Sequence, residues 1–205
     1  MAVKMDTPFP TEKLVIEPSQ PGELLFTRAM LDFLEESGLI EGRFELIGGR
    51  IISKRGQNSP HSITISECFA YLLGVFPRRT VRCQATVEVW QGDRVRNRPE
   101  PDVFVLREAV YQGAPPANDL LLIIEVCDTT QGYDLGDKVK LYAEAGVAEY
   151  WVIDLPARTL TVFRTPDADA GTWASRNTLA ETQTVAPEST PGTLIKITDL
   201  LTPVI

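Results

Sequence analysis

The stretch LLLIIEVCDTTQGYDLGDKVKLY, residues 120–142, decides the predicted fold of this chain. Its five leading apolar residues indicate a buried strand, yet the strand runs directly into the carboxylate of Glu125. The segment that follows has the spacing of a short helix, which begins at Asp134 and is closed by Gly146. A second buried strand, EYWVID, comes next. A helix between two buried strands predicts an α/β or α+β sheet domain.

Further hairpins and helices are predicted around this unit. Thr27 is a candidate N-cap for a short helix, and a second helix is predicted from Ser59-Pro60 to about Leu73. RFELIGGRIISK predicts a hairpin, as does EYWVID with TLTVFR, while TVRCQATVEVW, PDVFVL and the late LIKI are strand-like. Residues 1–25, with four prolines, predict an extended arm, so residues 26–205 are expected to form a single domain.

The composition indicates a globular domain without a membrane span. Hydrophobic residues make up 43% of the 205 positions, which is enough for one sizeable core. No apolar run approaches the roughly 20 residues of a membrane-spanning helix, and the N-terminus lacks the apolar segment of a signal peptide. The three cysteines are widely spaced, which is typical of reduced thiols in the cytoplasm and argues against a zinc knuckle.

Charge is distributed unevenly along the chain. The formal net charge is −8, which argues against a high-affinity, non-specific nucleic-acid binder. Residues 78–98 are the exception, because they hold six arginines and only two acids. This segment is either a strand pair with a solvated arginine face or a basic rim for a phosphate-bearing substrate.

Two acids mark the ends of successive buried strands. Asp102 opens PDVFVL and Glu125 closes LLLIIEV. If the strands are antiparallel neighbours, their carboxylates lie on the same face with Cβ atoms about 5 Å apart. The predicted register pairs Leu106 with Leu121, Phe104 with Ile123, and Asp102 with Glu125. Either both acids are solvated at the surface, or a shared proton, a buried cation or a divalent ion such as Mg²⁺ or Mn²⁺ offsets their repulsion.

The helix after the second acid carries two lysines that cannot share a face. Lys138 and Lys140 are two positions apart, roughly 200° around the helix axis. Lys140 has Glu144 four residues later, as on a solvated face. Lys138 has Leu141 and Tyr142 on its own side, so it either reaches the acid pair or extends its ammonium to water. Two carboxylates, a divalent ion and a lysine would suit metal-assisted phosphodiester hydrolysis.

These motifs resemble the PD-(D/E)XK nuclease superfamily and, within it, the Uma-type putative restriction endonuclease family. The resemblance rests on FELIGGRII, SPH, RPEPDVFVL, LLIIEVCDTT, YDLGDKVKLYAEAGVAEYWVIDL and TLTVFR, in that order. It implies a restriction-endonuclease-like central mixed β-sheet flanked by helices, a Mg²⁺ ion (or Mn²⁺) at the sheet edge, DNA as substrate and a homodimer. It also implies that Asp102, Glu125 and Glu45 hold the metal and that Lys138 joins Asp102 and Glu125 in catalysis.

One departure from the superfamily pattern concerns the lysine. It normally lies two residues after the second acid, where this chain has Cys127, so Lys138 would have to act from the following helix. Three further residues are candidates for contact with the substrate or the site acids: His61, the only histidine, Arg98 and Asp128. Each also has an ordinary interpretation: His61 as a surface residue near a helix start, Arg98 as a solvated arginine, and Asp128 as a turn residue.

Two functions from other classes stay open at this point. The fold could serve as a non-catalytic, metal-binding dimeric interaction module. Alternatively, the acid pair could belong to a two-carboxylate hydrolase such as a glycosidase, which needs no metal and leaves Lys138 unexplained.

Overall fold

A six-stranded mixed sheet forms the centre of the fold. The computed structural model describes residues 24–54, 59–89, 94–128 and 133–202. The strands, in chain order, are β1 (Phe44–Ile47), β2 (Arg50–Ser53), β3 (Val81–Cys83), β4 (Val103–Leu106), β5 (Leu120–Cys127), β6 (Glu149–Asp154), β7 (Thr159–Asp167), β8 (Thr172–Ala180), β9 (Thr184–Val185) and β10 (Ile195–Lys196). The large sheet has the order β3-β4-β5-β6-β7-β8, while β1–β2 and β9–β10 form separate antiparallel pairs.

The described residues form three α-helices, of which the second and third pack against the large sheet, as the family resemblance implied. They are α1 (Arg28–Glu36), α2 (Ser59–Val75) and α3 (Lys138–Glu144), with one π-helical turn, Tyr133–Asp137, directly before α3. Short 3₁₀ turns occupy Arg94–Arg96, Ala117–Asp119 and Ile197–Asp199. The Thr27 hydroxyl caps α1 by accepting a hydrogen bond from the Met30 amide at 3.3 Å. No helix in the described ranges is long and apolar enough to cross a membrane.

Residues 120–142 form most of a parallel crossover between two strands. β5 and β6 run parallel and α3 lies between them in the chain, whereas every other neighbouring pair in the large sheet is antiparallel. Gly146, at φ 72°, ends the helical segment in the left-handed region that favours glycine. β5 is apolar on both faces because both are covered. Leu122, Ile124 and Val126 pack with α2, whereas Ile123 and Cys127 pack with α3.

The predicted register is confirmed at the centre of the β4–β5 pair and wrong at its far end. Phe104 lies opposite Ile123, as expected. The register shifts after Val105, so that Leu106 faces Leu120 and not Leu121. The bulge lies away from the acids and leaves the pairing near Asp102 unaffected.

Other predictions hold in part. The predicted strand TVRCQATVEVW is a strand only over Val81–Cys83, because Gln84 adopts a positive φ of 49° and ends the ladder. Trp90 and most of the predicted arm, residues 1–23, lie outside the described residues. The predicted strand in LIKI shortens to two residues, and β8, in the tail where the sequence alternates only weakly, spans nine. All three cysteines are free thiols.

Candidate active site

Four acids and two lysines meet at one end of the large sheet, where the β1–β2 hairpin and α3 both reach β5. We call them the acid–lysine cluster; its members are Glu45 on β1, Lys54 after β2, Asp102 before β4, Glu125 on β5, Asp134 in the π-helical turn, and Lys138 at the start of α3. All four acids are buried, with 2–4% of their surface exposed. Buried acids in this number require close cationic partners.

Backbone pairing positions the hairpin against the cluster. Leu46 and Arg98 exchange backbone hydrogen bonds, with N–O distances of 2.7 and 3.2 Å. This bridge fixes β1 beside the segment that leads into Asp102. The Glu45 carboxylate then accepts a hydrogen bond from the Glu100 amide at 2.7 Å. The acid that the family resemblance implied is thereby brought to the site.

Lys138 is bonded to three carboxylates. Its Nζ lies 2.9 Å from Oε1 of Glu125, 3.0 Å from Oε2 of Glu45 and 3.3 Å from Oδ1 of Asp134. The lysine is 2% exposed, whereas the Lys140 side chain is 69% exposed and pairs with Glu144 at 3.6 Å. The assignment of the two lysines to opposite faces from their spacing is therefore confirmed.

Asp102 lies at the same end of the sheet and is held from two sides. Its Oδ2 accepts a hydrogen bond from the Val126 amide at 3.0 Å, which ties it to the strand that carries Glu125. Its Oδ1 lies 3.3 Å from Nζ of Lys54. Asp102 lies one residue before β4 begins, so it is at the strand end where the sequence placed it.

Burial sets the protonation behaviour of the cluster. Desolvation raises the pKa of Glu125 to about 8, and the charges of Asp102 and Glu45 act in the same direction, against Lys138 and Lys54. For Lys138, burial alone would lower the pKa, but Glu125, Glu45 and Asp134 together raise it well above its usual value. The lysine is therefore cationic throughout the neutral range.

His61 lies beside the cluster, at the start of α2. Its Nε2 is 2.7 Å from the carbonyl oxygen of Val126 and 3.8 Å from Oδ2 of Asp102. Because a carbonyl only accepts, Nε2 carries the proton in this contact. The structure thus brings the imidazole of His61 close to the Asp102 carboxylate.

The other two candidates are less closely associated with the acids. Arg98 forms a bidentate pair with Glu35 of α1, at 2.7 and 2.9 Å, and a further contact with Asp32 at 2.8 Å. Asp128 follows the end of β5 and is half-buried. Two arginines of the predicted basic rim, Arg78 and Arg79, are exposed beyond the end of α2.

Sequence reasoning missed three members of the site. Lys54 was not singled out, Asp134 was interpreted as a helix cap, and the Tyr142 hydroxyl, which donates to Oε1 of Glu125 at 3.0 Å, was treated as apolar. Two signals were present in the sequence. Asp134 and Lys138 are four positions apart, the spacing of a helical ion pair, and Lys54 follows Ile52, the cross-strand partner of Glu45, by two residues.

The donor chemistry of the cluster fits a divalent cation. Its protein ligands would be carboxylate oxygens, which Mg²⁺ and Mn²⁺ prefer, and four carboxylates against two ammonium groups leave an excess of negative charge. Within the described ranges, however, no three histidine, cysteine, aspartate or glutamate side chains are spaced to hold a metal ion. The two lysines lie between the carboxylates and separate them. A cation would therefore require local rearrangement of a lysine.

Comparison with known proteins identifies the fold and the family of this chain. The fold, a mixed sheet with helices on its faces, is similar to the solved structure of "a putative nuclease belonging to DUF820" from Anabaena variabilis ATCC 29413. The two share 20% identity and a TM-score of 0.62 over 82% of this chain and 96% of the other, which shows the fold alone. The profile of the Uma2 family, described as "Putative restriction endonuclease", matches residues 35–198, so the chain belongs to that family. No curated protein matches significantly.

Proposed function

We propose that this chain is a divalent-cation-dependent endonuclease that hydrolyses DNA phosphodiester bonds. The observation that carries the proposal is the convergence of Asp102 and Glu125 from adjacent strands, with Lys138 bonded to Glu125 at 2.9 Å. Membership of the Uma2 family and the nuclease-type fold support a nuclease. DNA as the substrate, Mg²⁺ or Mn²⁺ as the ion, homodimer formation and a cytoplasmic location are parts of the proposal.

Five of the six cluster members have a task in this proposal. Asp102 and Glu125, with Glu45 beside them, would hold the ion through carboxylate oxygens. When bound, such an ion polarises a phosphate oxygen and lowers the pKa of a coordinated water. Lys138 fixes the orientation of Glu125 and Glu45, and its positive charge stabilises the additional negative charge that develops on a phosphate in the transition state.

His61 and Asp134 support this arrangement from either side. The imidazole binds the carbonyl of Val126, next to the amide that holds Asp102, and so fixes the end of β5. Asp134 neutralises part of the Lys138 charge at 3.3 Å and keeps the ammonium in place. Neither residue needs to touch the substrate for these roles.

The test is a cleavage assay with matched variants. Purified wild-type protein would be incubated with supercoiled plasmid and with labelled single-stranded and branched DNA, in Mg²⁺, Mn²⁺ or EDTA. Asp102→Asn and Glu125→Gln preserve side-chain shape but remove the ligand charges. We expect metal-dependent nicking that both variants lose, while the matched variant Glu144→Gln, at the half-buried partner of Lys140, retains it. Nicking that persists in the site variants would refute the assignment.

A non-catalytic metal-binding module is the second candidate, favoured by one observation. Lys138 is only 2% exposed and is bonded to three acids, so it has a structural role whether or not the chain cleaves DNA. This candidate predicts that Mn²⁺ raises the melting temperature of the wild type but not of Asp102→Asn, with no cleavage of any nucleic acid. Cleavage lost together with the ligand charges would exclude it.

A further inference from the structure

Lys54 is the second lysine of the cluster, and it is bonded differently from Lys138. Its Nζ lies 3.3 Å from Oδ1 of Asp102 and 3.8 Å from Oε1 of Glu45, and it donates a hydrogen bond to the backbone carbonyl of Glu100. All three partner atoms of the Lys54 ammonium are oxygens, two from carboxylates and one from a backbone carbonyl. The ammonium therefore occupies the kind of oxygen-lined position that a hard cation would take.

The two lysines also differ in their access to water. The Lys54 side chain is 16% exposed, whereas the Lys138 side chain is 3% exposed. Lys138 has three carboxylates within 3.3 Å, but Lys54 has only one within that distance. Lys54 also lies just beyond the end of β2, whereas Lys138 belongs to a packed helix. Of the two ammonium groups, that of Lys54 can therefore separate from its carboxylate partners at the lower cost in free energy.

We propose that Lys54 is a resident counter-cation of the nuclease site, which a divalent ion must displace from Asp102 in order to bind. The inference rests on the proposed function, because it concerns the same carboxylates. It assigns the two lysines different tasks. Lys138 is a fixed part of the site, and Lys54 neutralises Asp102 and Glu45 until an ion replaces it. Lys54 is thus a positioning residue that sets metal affinity.

The number of charged groups in the cluster predicts how removal of the Lys54 charge changes the affinity for a divalent ion. With Lys54 in place, the cluster holds four carboxylates and two ammonium groups. Replacing Lys54 with methionine keeps a side chain of similar length but removes both the competing cation and its repulsion of an incoming ion. Charge interactions at about 4 Å near a protein surface are large enough to change affinity by at least about tenfold.

The experiment is a binding titration that does not depend on cleavage. Mn²⁺ binding to the full chain would be measured by isothermal titration calorimetry and by the loss of the free Mn²⁺ paramagnetic resonance signal. Wild type would be compared with Lys54→Met, with Lys54→Arg, which keeps the charge, and with Lys140→Met, which removes an exposed lysine. Asp102→Asn, added to each of these proteins, tests whether the measured Mn²⁺ binds at Asp102. Circular dichroism establishes that each variant is folded.

We expect Lys54→Met to bind Mn²⁺ at least about tenfold more tightly than wild type, with Lys54→Arg and Lys140→Met close to wild type. If Lys54→Met is unfolded, Lys54→Gln tests the same loss of charge. Equal or weaker binding by the folded uncharged variants would overturn the inference while leaving the metal site intact. No binding by any variant would overturn it together with the metal-dependent function, so the two failures are distinguishable.

Discussion

The Nζ of Lys138 lies 2.9 Å from Oε1 of Glu125, which joins the first residue of α3 to the strand that precedes it. The parallel crossover explains this contact, because the chain must return over the end of β5 before it can begin β6. Both partners are buried, at 2% exposure each. Removing Lys138 leaves three buried carboxylates without their shared cation, whereas removing Glu125 leaves Lys138 with Glu45 and Asp134 as partners.

Replacing Lys138 with methionine should destabilise the fold strongly. The substitution leaves Glu125, Glu45 and Asp134 without their shared cation, and breaking a buried pair typically costs about 3–5 kcal/mol. Urea unfolding at pH 7 would measure the loss. Lys140→Met, two residues away and exposed, is the control and should change the free energy of unfolding by no more than about 0.5 kcal/mol. Similar losses in both variants would contradict the role of Lys138.

Replacing Glu125 with glutamine should change how stability depends on pH. The pKa of Glu125 rises from 4.5 to about 8 in the folded chain, chiefly through burial. Its contribution to stability is therefore fully present below about pH 4.5 and is lost as pH rises through about 8. Lys138 does not titrate in this window, because its pKa lies well above 10.5.

The measurement is urea unfolding of wild type and Glu125→Gln between pH 5 and pH 8 without metal. The glutamine does not titrate, so only the wild type loses stability through this group as pH rises. The free energy of unfolding of the variant should therefore increase relative to that of wild type, by at most about 1.4 kcal/mol per pH unit. Glu144→Gln, at the half-buried partner of the exposed Lys140, serves as control. A difference between Glu125→Gln and wild type that stays constant with pH would show that Glu125 is already ionised at pH 5.

The sequence predicted the sheet well because its signals are periodic. Five apolar residues before Glu125 indicated a strand covered on both faces, and the structure packs those faces against α2 and α3. The pairing of Phe104 with Ile123 followed from folding the two strands about the middle of the loop over residues 107–119. The pairing of Leu106 failed because a bulge shifts the register, and such a local irregularity leaves no period-two signal.

Local sequence patterns predicted a site residue only where the neighbours in its own segment determine its position. Lys138 was found because its helical neighbours are apolar, but Glu45 was found only through the family resemblance. Lys54 was missed because its contact with Asp102 depends on how the hairpin docks, through the Leu46–Arg98 bridge. That docking is a tertiary contact between residues about 50 positions apart, which a local pattern cannot show.

Arg98 is expected to act on stability and not on cleavage. Its guanidinium forms two parallel hydrogen bonds with Glu35, which lysine cannot reproduce. Arg98→Lys should therefore lower the free energy of unfolding by about 1–2 kcal/mol, while the nicking rate stays within about twofold of wild type. Thermal unfolding and plasmid nicking would be measured in parallel.

The control for Arg98 is a double-mutant cycle with Glu35→Gln. If the two residues act through each other, the double variant should lose less stability than the two single losses combined. A nicking rate that falls at least tenfold in Arg98→Lys, with unchanged stability, would instead place Arg98 in contact with the substrate, as the sequence left open.

His61 is expected to position the end of β5 for cleavage. His61→Phe removes the donor to the Val126 carbonyl, 2.7 Å away, and should cost about 1–3 kcal/mol in stability. Because Val126 also holds Asp102 through its amide, the acid should shift, and a displacement near 1 Å can lower a rate by about a hundredfold. His61→Gln keeps an amide donor and should recover much of the nicking rate. Equal rates in the glutamine and phenylalanine variants, after correction for the folded fraction, would show that this hydrogen bond does not position Asp102.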